Sequence, residues 1–304
     1  MTDFEKRLER ISKSVKFSAP LSEMSTFRIG KNALAAVWPE DVTEICKIKS
    51  LCLEYSVPCV FIGNGSDILF DDGGFDGVIV CTSKFSKLDI NENRIICECG
   101  VPMTRLANFA CENSLSGLEF AYGIPGSVGG GVYMNAGAYG GEMKNVIKSV
   151  SALHNGNVVK FQREELYFGY RHSRFCGTDD LILAAEFELQ SGKKDDIAAL
   201  MRDYIERRRA KQPLEYPSAG SVFKRPEGYF AGKLIEDAGL KGYKTGGAMV
   251  SEKHAGFIVN FDNATSKDVI DLVLHIRKTV FEKFGVTLES EILHLSKDGK
   301  IEKI

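Results

Sequence analysis

Nine of the chain's 30 glycines fall between Gly117 and Glu142, in the run GLEFAYGIPGSVGGGVYMNAGAYGGE. Glycine costs backbone entropy, so such density survives in a folded protein chiefly where φ must be positive or another group must approach the backbone. In Gly123-Ile124-Pro125-Gly126-Ser127-Val128-Gly129-Gly130-Gly131, N–H groups free of Cβ atoms suit an anion-binding nest, and Ser127 adds a hydroxyl. Leu118, Phe120, Ile124, Val128, Val132 and Met134 anchor the run, unlike a flexible glycine tract. Earlier, the apolar Val57–Ile62 opens into Gly63-Asn64-Gly65-Ser66-Asp67 and continues as Ile68-Leu69-Phe70, which reads as strand, tight turn, strand. Alone, that turn is more often a hairpin turn than a phosphate cradle. Together the two turns suggest a pyrophosphate held between them, as a dinucleotide cofactor requires. Neither is a Rossmann fingerprint, since Gly63-Asn64-Gly65-Ser66-Asp67-Ile68 lacks the third glycine, and no Walker Gly-Lys-Ser/Thr occurs.

Composition limits the rest. A chain of 304 residues, 44% hydrophobic, is long enough for two or three domains. Its net charge of −2 gives no general attraction to nucleic acid or to anionic membrane, so neither is expected as a partner. Met1–Val15 is charged with helical period, placing Phe4, Leu8 and Ile11 on one face, and no apolar run is of bilayer length. A cytoplasmic location is therefore expected. The eight cysteines form no C-x-x-C pair, and the five histidines are scattered, so no metal site is expected and the thiols read as small buried hydrophobes.

Periodicity predicts short strands at Ser25–Gly30 and Ala35–Pro39, then a helix over Asp41–Ser56. Strands follow at Gly77–Cys81 and Arg94–Cys99, with a helix over Pro102–Ser114. Val146–Leu153 and Asn157–Phe161 form a hairpin about His154-Asn155-Gly156, and Leu181–Leu189 is a strand. Past the polar junction Ser191–Asp196, the helix Ile197–Arg209 ends in Arg207-Arg208-Arg209-Ala210-Lys211, which either complements the helix dipole or meets a phosphate, and the dipole and solvent reading is the one expected. Ser221, in Ser218–Pro226, is by itself turn chemistry. A long helix runs Ser266–Phe284 with Gly285 as its cap, and Val286–Ile292 alternates as a strand with Glu289 and Glu291 on one face. The class is α+β. The expected units are 1–56, 57–192 and 195–285, with 286–304 returning to the first.

The order of these pieces is distinctive. Ser25-Thr26-Phe27-Arg28-Ile29-Gly30, the two glycine turns, Tyr170-Arg171-x-Ser173, Ala219-Gly220-Ser221-Val222-Phe223-Lys224, Ser251-Glu252-Lys253-His254-Ala255-Gly256-Phe257 and Leu288-Glu289-x-Glu291 span nearly the whole chain. This series closely resembles the UDP-N-acetylenolpyruvoylglucosamine reductase family, a branch of the vanillyl-alcohol-oxidase-like (PCMH-type) flavoproteins. The resemblance implies non-covalent FAD between two α+β subdomains, covered by a C-terminal α+β substrate-binding domain. It implies NADPH as reductant, and hydride passing from FAD to the enolpyruvyl double bond of a nucleotide-sugar, giving UDP-N-acetylmuramate for cell-wall synthesis. Gly63, Asn64, Gly65, Ser66 and Asp67 with Gly123, Ile124, Pro125, Gly126, Ser127, Gly129 and Gly130 would hold the cofactor. Arg171, assisted by Glu291, would stabilise charge developing on the substrate carboxylate, and Ser221 would donate the proton. Tyr170, Lys224 and Arg225 are the candidate substrate contacts.

The short path from Phe175 through Asp179-Asp180 to a strand resembles the shorter (type II) form of the family. Three positions depart from its pattern: Lys31 replaces a common glycine, Met249 a glutamine, and Asp67 an asparagine. Asp67 would repel a pyrophosphate unless it points away or caps backbone N–H groups. Rival readings are a flavin oxidase of the same fold and a non-catalytic nucleotide-binding module. Oligomeric state stays open, with a monomer favoured.

Overall fold

A computed structural model describes residues 1–304. Thr2 opens helix α1 (Asp3–Ile11) with a capping box closed by Glu5, and Asp41 caps α2 (Val42–Glu54). Between them run β1 (Val15–Pro20) and β2 (Asn32–Val37), followed by β3 (Cys59–Ile62), β4 (Ile68–Phe70) and β5 (Phe75–Cys81). The first sheet has the order β1-β2-β5-β3, with β2 and β3 both parallel to β5. Its central strand carries Val78, Ile79 and Val80, all fully buried, as expected of a parallel strand covered on both faces. Phe4 and Leu8 of α1 and Ile48 and Leu51 of α2 close one face. This sheet crosses the boundary expected at residue 56, because β5 beyond it pairs in parallel with β2, and β3 in turn with β5.

The second sheet is antiparallel. Strands β6 (Leu88–Asn91), β7 (Arg94–Glu98), β8 (Ile147–His154), β9 (Asn157–Gln162) and β10 (Leu181–Glu188) lie in the order β9-β8-β10-β7-β6. Asn155 and Gly156, with φ of +49° and +79°, make the tight turn joining β8 to β9. Helices α3 (Met103–Glu112) and α4 (Val128–Tyr133) share the core of this sheet.

After α5 (Lys194–Lys211), the last third packs α6 (Ala231–Asp237) and α7 (Ser266–Phe284) with a small sheet of β11 (Lys244–Thr245), β12 (Ala248–Val250) and β13 (Ile258–Asn260). Met249 is buried on β12. The chain then runs back: β14 (Leu293–Leu295) pairs in parallel with β4, and β15 (Ile301–Lys303) adds to β14. No helix is long and apolar enough to cross a membrane, and all eight cysteines are free thiols.

Four local expectations are corrected. β3 and β4 belong to different sheets, so the intervening glycine turn is not a hairpin. Val15 starts a strand, because its partner is Val37 across the β1–β2 ladder and not the preceding helix. Ser25–Gly30 is not a strand: Arg28 is left-handed (φ +56°), and Phe27 and Ile29 are buried in the core of the last third. There Thr26 Oγ1 donates to the Ser218 carbonyl (2.7 Å) and Asn260 Nδ2 to the Phe27 carbonyl (3.1 Å). Finally, Val286–Ile292 forms no continuous ladder; Ser290 bridges Phe223 alone, and pairing with β4 begins at Leu293.

One contact ties the two ends of the molecule. Asp72, just after β4, accepts hydrogen bonds from the first backbone N–H groups of α7, those of Ser266 (2.7 Å) and Lys267 (3.0 Å), and its own N–H donates to Ser266 Oγ (3.1 Å). These are donors a helix start otherwise leaves unpaired. Asp72→Ala is expected to lower stability by about 1 kcal/mol and Tm by about 2–4 °C in a thermal melt. An unchanged Tm would show that the cap is not a fastening.

Candidate active site

The two glycine turns meet face to face. A Cβ at Gly63 would stand 2.1 Å from Ser127 Oγ, so only glycine allows this approach. Asn64 Nδ2 donates to the Pro125 carbonyl (3.1 Å), and Ser66 Oγ lies 3.5 Å from where a Gly126 Cβ would be. Gly65 is left-handed (φ +58°) with its back against Met24, and its carbonyl accepts from Thr26 N–H (3.0 Å). The N–H groups of Gly63, Asn64, Gly65, Ser66, Asp67, Gly126 and Ser127 have no acceptor in the protein. A concentration of free donors in two touching turns is the chemistry of an anion nest, and it fits a pyrophosphate. Gly129 and Gly130 do not join it. Both lie in α4, where Gly129 N–H donates to the Cys99 carbonyl (2.8 Å) and Gly130 N–H to Ser127 Oγ (3.4 Å). Gly123 ends a 3-10 turn, and the Ile124 N–H donates to the Ala121 carbonyl (3.1 Å).

A cavity of about 340 Å³ brings the predicted catalytic residues together, with Tyr170, Arg171, Ser221, Arg225 and Glu291 in its wall. Arg171 sits in a left-handed conformation (φ +52°), next to the single bridge between Gly169 and His172. Its Nε donates to Glu291 Oε1 (3.1 Å), and Tyr170 Oη reaches the same carboxylate oxygen (3.5 Å) while accepting from the Arg225 N–H (3.2 Å). Ser221 is held by backbone on two sides. It bridges Phe257, while its neighbour Val222 donates to the Gly256 carbonyl (2.9 Å) and accepts from the Glu291 N–H (2.7 Å). Ser221 Oγ makes no hydrogen bond within the protein.

The two tail acids part company. Glu289 is exposed and pairs with Lys224 Nζ (3.0 Å), so Lys224 is engaged away from the cavity and does not line it. Glu291 is 7% exposed. Burial raises its carboxyl above the ordinary range, opposed by Arg171. Asp67 lies beside it, since the Asp67 carbonyl accepts from Leu293 N–H (3.2 Å) where β4 meets β14. Burial first, then the Glu291 charge, push the Asp67 carboxyl up to about 8. It therefore neither points away as an anion nor caps an N–H group; at neutral pH it is mainly the uncharged acid.

Sequence reasoning missed part of the wall. Lys233 and Glu236 of α6, Lys241 and Lys253 also line the cavity, with His254, whose Nδ1 accepts from Gly256 N–H (3.1 Å) and whose pKa is lowered by burial. The lysines stand in no motif; only their recurrence through 233–253 hinted at them. Arg225 stacks its guanidinium 3.9 Å over the Phe230 ring, an aromatic 61% exposed at the cavity mouth.

Comparisons with known proteins agree with this geometry. Residues 33–162 match the family described as FAD binding domain, and residues 212–295 that described as UDP-N-acetylenolpyruvoylglucosamine reductase, C-terminal domain. The chain is 48% identical over 292 residues to the UDP-N-acetylenolpyruvoylglucosamine reductase of Caldicellulosiruptor saccharolyticus, covering 95% of this chain and 94% of that one. It is 47% identical over 285 residues to the enzyme of that name from Clostridium perfringens, covering 93% and 94%. The crystal structure of UDP-N-acetylenolpyruvylglucosamine reductase from Thermus caldophilus superposes with a TM-score of 0.79 at 32% identity, over 92% of this chain and 98% of that one. The chain thus belongs to the UDP-N-acetylenolpyruvoylglucosamine reductase family, as an FAD-dependent oxidoreductase of α+β fold with an FAD-binding domain.

Proposed function

We propose that the protein reduces the enolpyruvyl double bond of UDP-N-acetylglucosamine enolpyruvate to give UDP-N-acetylmuramate for peptidoglycan synthesis, with NADPH as the electron source. The observation that carries this reading is the convergence of Arg171, Glu291 and Ser221 in one cavity, with Glu291 beside Asp67 of the first glycine turn. FAD, when bound, supplies the hydride; the free N–H groups of Gly63–Asp67, Gly126 and Ser127 would hold its pyrophosphate. We place the FAD-binding units in the first two sheets and the substrate unit in the last third, with the cavity between them.

The residues fit the reaction's charge flow. Hydride addition to an enol ether conjugated with a carboxylate pushes negative charge onto that carboxylate, which needs a fixed positive group. Arg171 supplies it, with Glu291 setting the guanidinium's orientation through Nε and leaving the terminal nitrogens for substrate. The second carbon needs a proton. Ser221 Oγ, uncommitted and backbone-fixed, donates it, and the cluster of Arg171, Arg225 and Lys253 lowers the cost of the resulting alkoxide. Arg225, which has no carboxylate partner, is the first candidate for a UDP diphosphate in the cavity; Lys233, Lys241 and Lys253 line it while paired with Asp237, Glu236 and Glu215, and Lys224, paired with Glu289, lies outside the lining. A neutral Asp67 adds no negative charge beside the cofactor's phosphates, so its replacement of asparagine is compatible with binding.

Two outcomes follow. In stopped flow, Ser221→Ala should reduce its flavin with NADPH at the wild-type rate, while reoxidation by enolpyruvyl substrate falls about 10²- to 10⁴-fold; normal reoxidation would make Ser221 a turn residue only. The second concerns pH. A carboxyl raised from 3.8 to about 8 is protonated in the folded state across that window and ionised in the unfolded one, so the stability it lends is present at low pH and is lost as pH rises to about 8. Asp67→Asn should therefore gain Tm over wild type by a few degrees at pH 8.5 and little at pH 4. A pH-independent difference would mean that Asp67 is ionised in the folded protein.

A further inference from the structure

The turn that presents Arg171 is held from outside the cavity. Gly169, Tyr170, Arg171 and His172 form a four-residue turn closed by two hydrogen bonds, Gly169 N–H to the His172 carbonyl (3.0 Å) and His172 N–H to the Gly169 carbonyl (3.3 Å). Arg171 fills its third position at φ +52°, a conformation usually left to glycine or asparagine. A large side chain keeps such a backbone conformation only where its surroundings fix it.

Asn135 supplies that contact. It is 1% exposed and itself left-handed (φ +43°), and it lines no part of the cavity. Its Nδ2 donates to the Gly169 carbonyl (2.8 Å) and to Glu142 Oε2 (2.7 Å), while its Oδ1 accepts from the Lys144 N–H (2.9 Å). The Gly169 carbonyl can only accept and the Lys144 N–H can only donate, so the amide has one orientation that satisfies both. The Gly169 carbonyl thus receives two donors, one from within the turn and one from Asn135. Just past the turn, the buried Ser173 Oγ donates to the Tyr133 carbonyl (2.7 Å). Helix α4, capped by Ser127 of the second glycine turn, ends at Tyr133, two residues before Asn135. One continuous segment therefore links that glycine turn to the base of the Arg171 turn.

We infer that Asn135 is a positioning residue for the reduction step, holding the Arg171 turn through the Gly169 carbonyl so that Nε meets Glu291 and the terminal nitrogens stay free. This rests on the reading that Arg171 stabilises the substrate carboxylate during hydride addition. Asn135→Asp probes it with little change of shape, because an acceptor oxygen then replaces Nδ2 opposite two other acceptors, the Gly169 carbonyl and Glu142.

Asn135→Asp, Arg171→Ala and the double variant are compared as full-length, FAD-loaded proteins. For Asn135→Asp the expected result is flavin reduction by NADPH at the wild-type rate, with reoxidation by enolpyruvyl substrate slowed about ten- to a hundredfold. UDP-N-acetylglucosamine, which lacks the carboxylate, should bind as it does to wild type. In the Arg171→Ala background the same substitution should cost nothing more, since the group it positions is gone. Asn135→Ala, which removes the donors without adding a charge, is measured beside it and should show the same split. In solution NMR the Arg171 Nε–H signal, recognised by its absence from Arg171→Ala, should shift in Asn135→Asp. An unshifted signal would overturn the inference. Additive losses in the double variant, or equal slowing of both half-reactions, would make Asn135 a packing residue and also overturn it. A wild type that the enolpyruvyl substrate does not reoxidise would instead overturn the reductase reading, with the Nε–H signal still deciding whether Asn135 places Arg171.

Discussion

The site depends on one parallel strand pairing of three residue pairs: Ile68 with Leu293, Leu69 with His294 and Phe70 with Leu295. This ladder joins the segment leaving the first glycine turn to the end of the chain. Because β4 is paired there, it cannot fold back on β3, and the turn stays open with five unclaimed N–H groups from Gly63 to Asp67. The same ladder carries Glu291 in beside Asp67 and Arg171, while Glu289, two residues back, remains in solvent. The first glycine turn, the Arg171–Glu291 pair and the segment of Ser221 are thus set in register by one non-local pairing. Asp72, capping α7 from the other end of β4, holds the same junction.

The charges follow from that geometry. Two carboxyls and one guanidinium share a poorly hydrated space, so one carboxyl gives up its charge, and Asp67, pushed up by burial and by the Glu291 charge, holds its proton to about 8. Glu291 keeps the arginine and orients it. An aspartate in a phosphate-binding turn is thereby tolerable, and the positive charge of Arg171 is not shared with a second full carboxylate.

Short-range features were legible in the sequence. Helix α7, capped by Thr265 and ended by the left-handed Gly285, and the Asn155-Gly156 hairpin are specified by local chemistry, and both lie where periodicity placed them. The glycine turns announced themselves by density, although Gly129 and Gly130 serve helix packing and not the nest. Illegible were features set by distant partners. Ser25–Gly30 alternates Phe27 and Ile29 with polar residues and looks like a strand, but Phe27 is claimed by a core some 200 residues away in sequence. Arg208 looks like a helix-end cation, and only the docking of α5 on Gly123 turns it inward. Lys233, Lys241 and Lys253 carry no motif, because a basic wall requires charge at a place, not residues at a spacing.

The central claim is that this cavity delivers electrons to an enolpyruvyl double bond. Its most direct test is the anaerobic reoxidation of the chemically reduced, FAD-loaded protein by UDP-N-acetylglucosamine enolpyruvate. The account predicts that one equivalent of substrate restores the oxidised flavin spectrum and yields the saturated lactyl ether, while UDP-N-acetylglucosamine has no effect. A protein that stays reduced with substrate and is reoxidised only by oxygen would contradict it, and would make this cavity the site of a flavin oxidase.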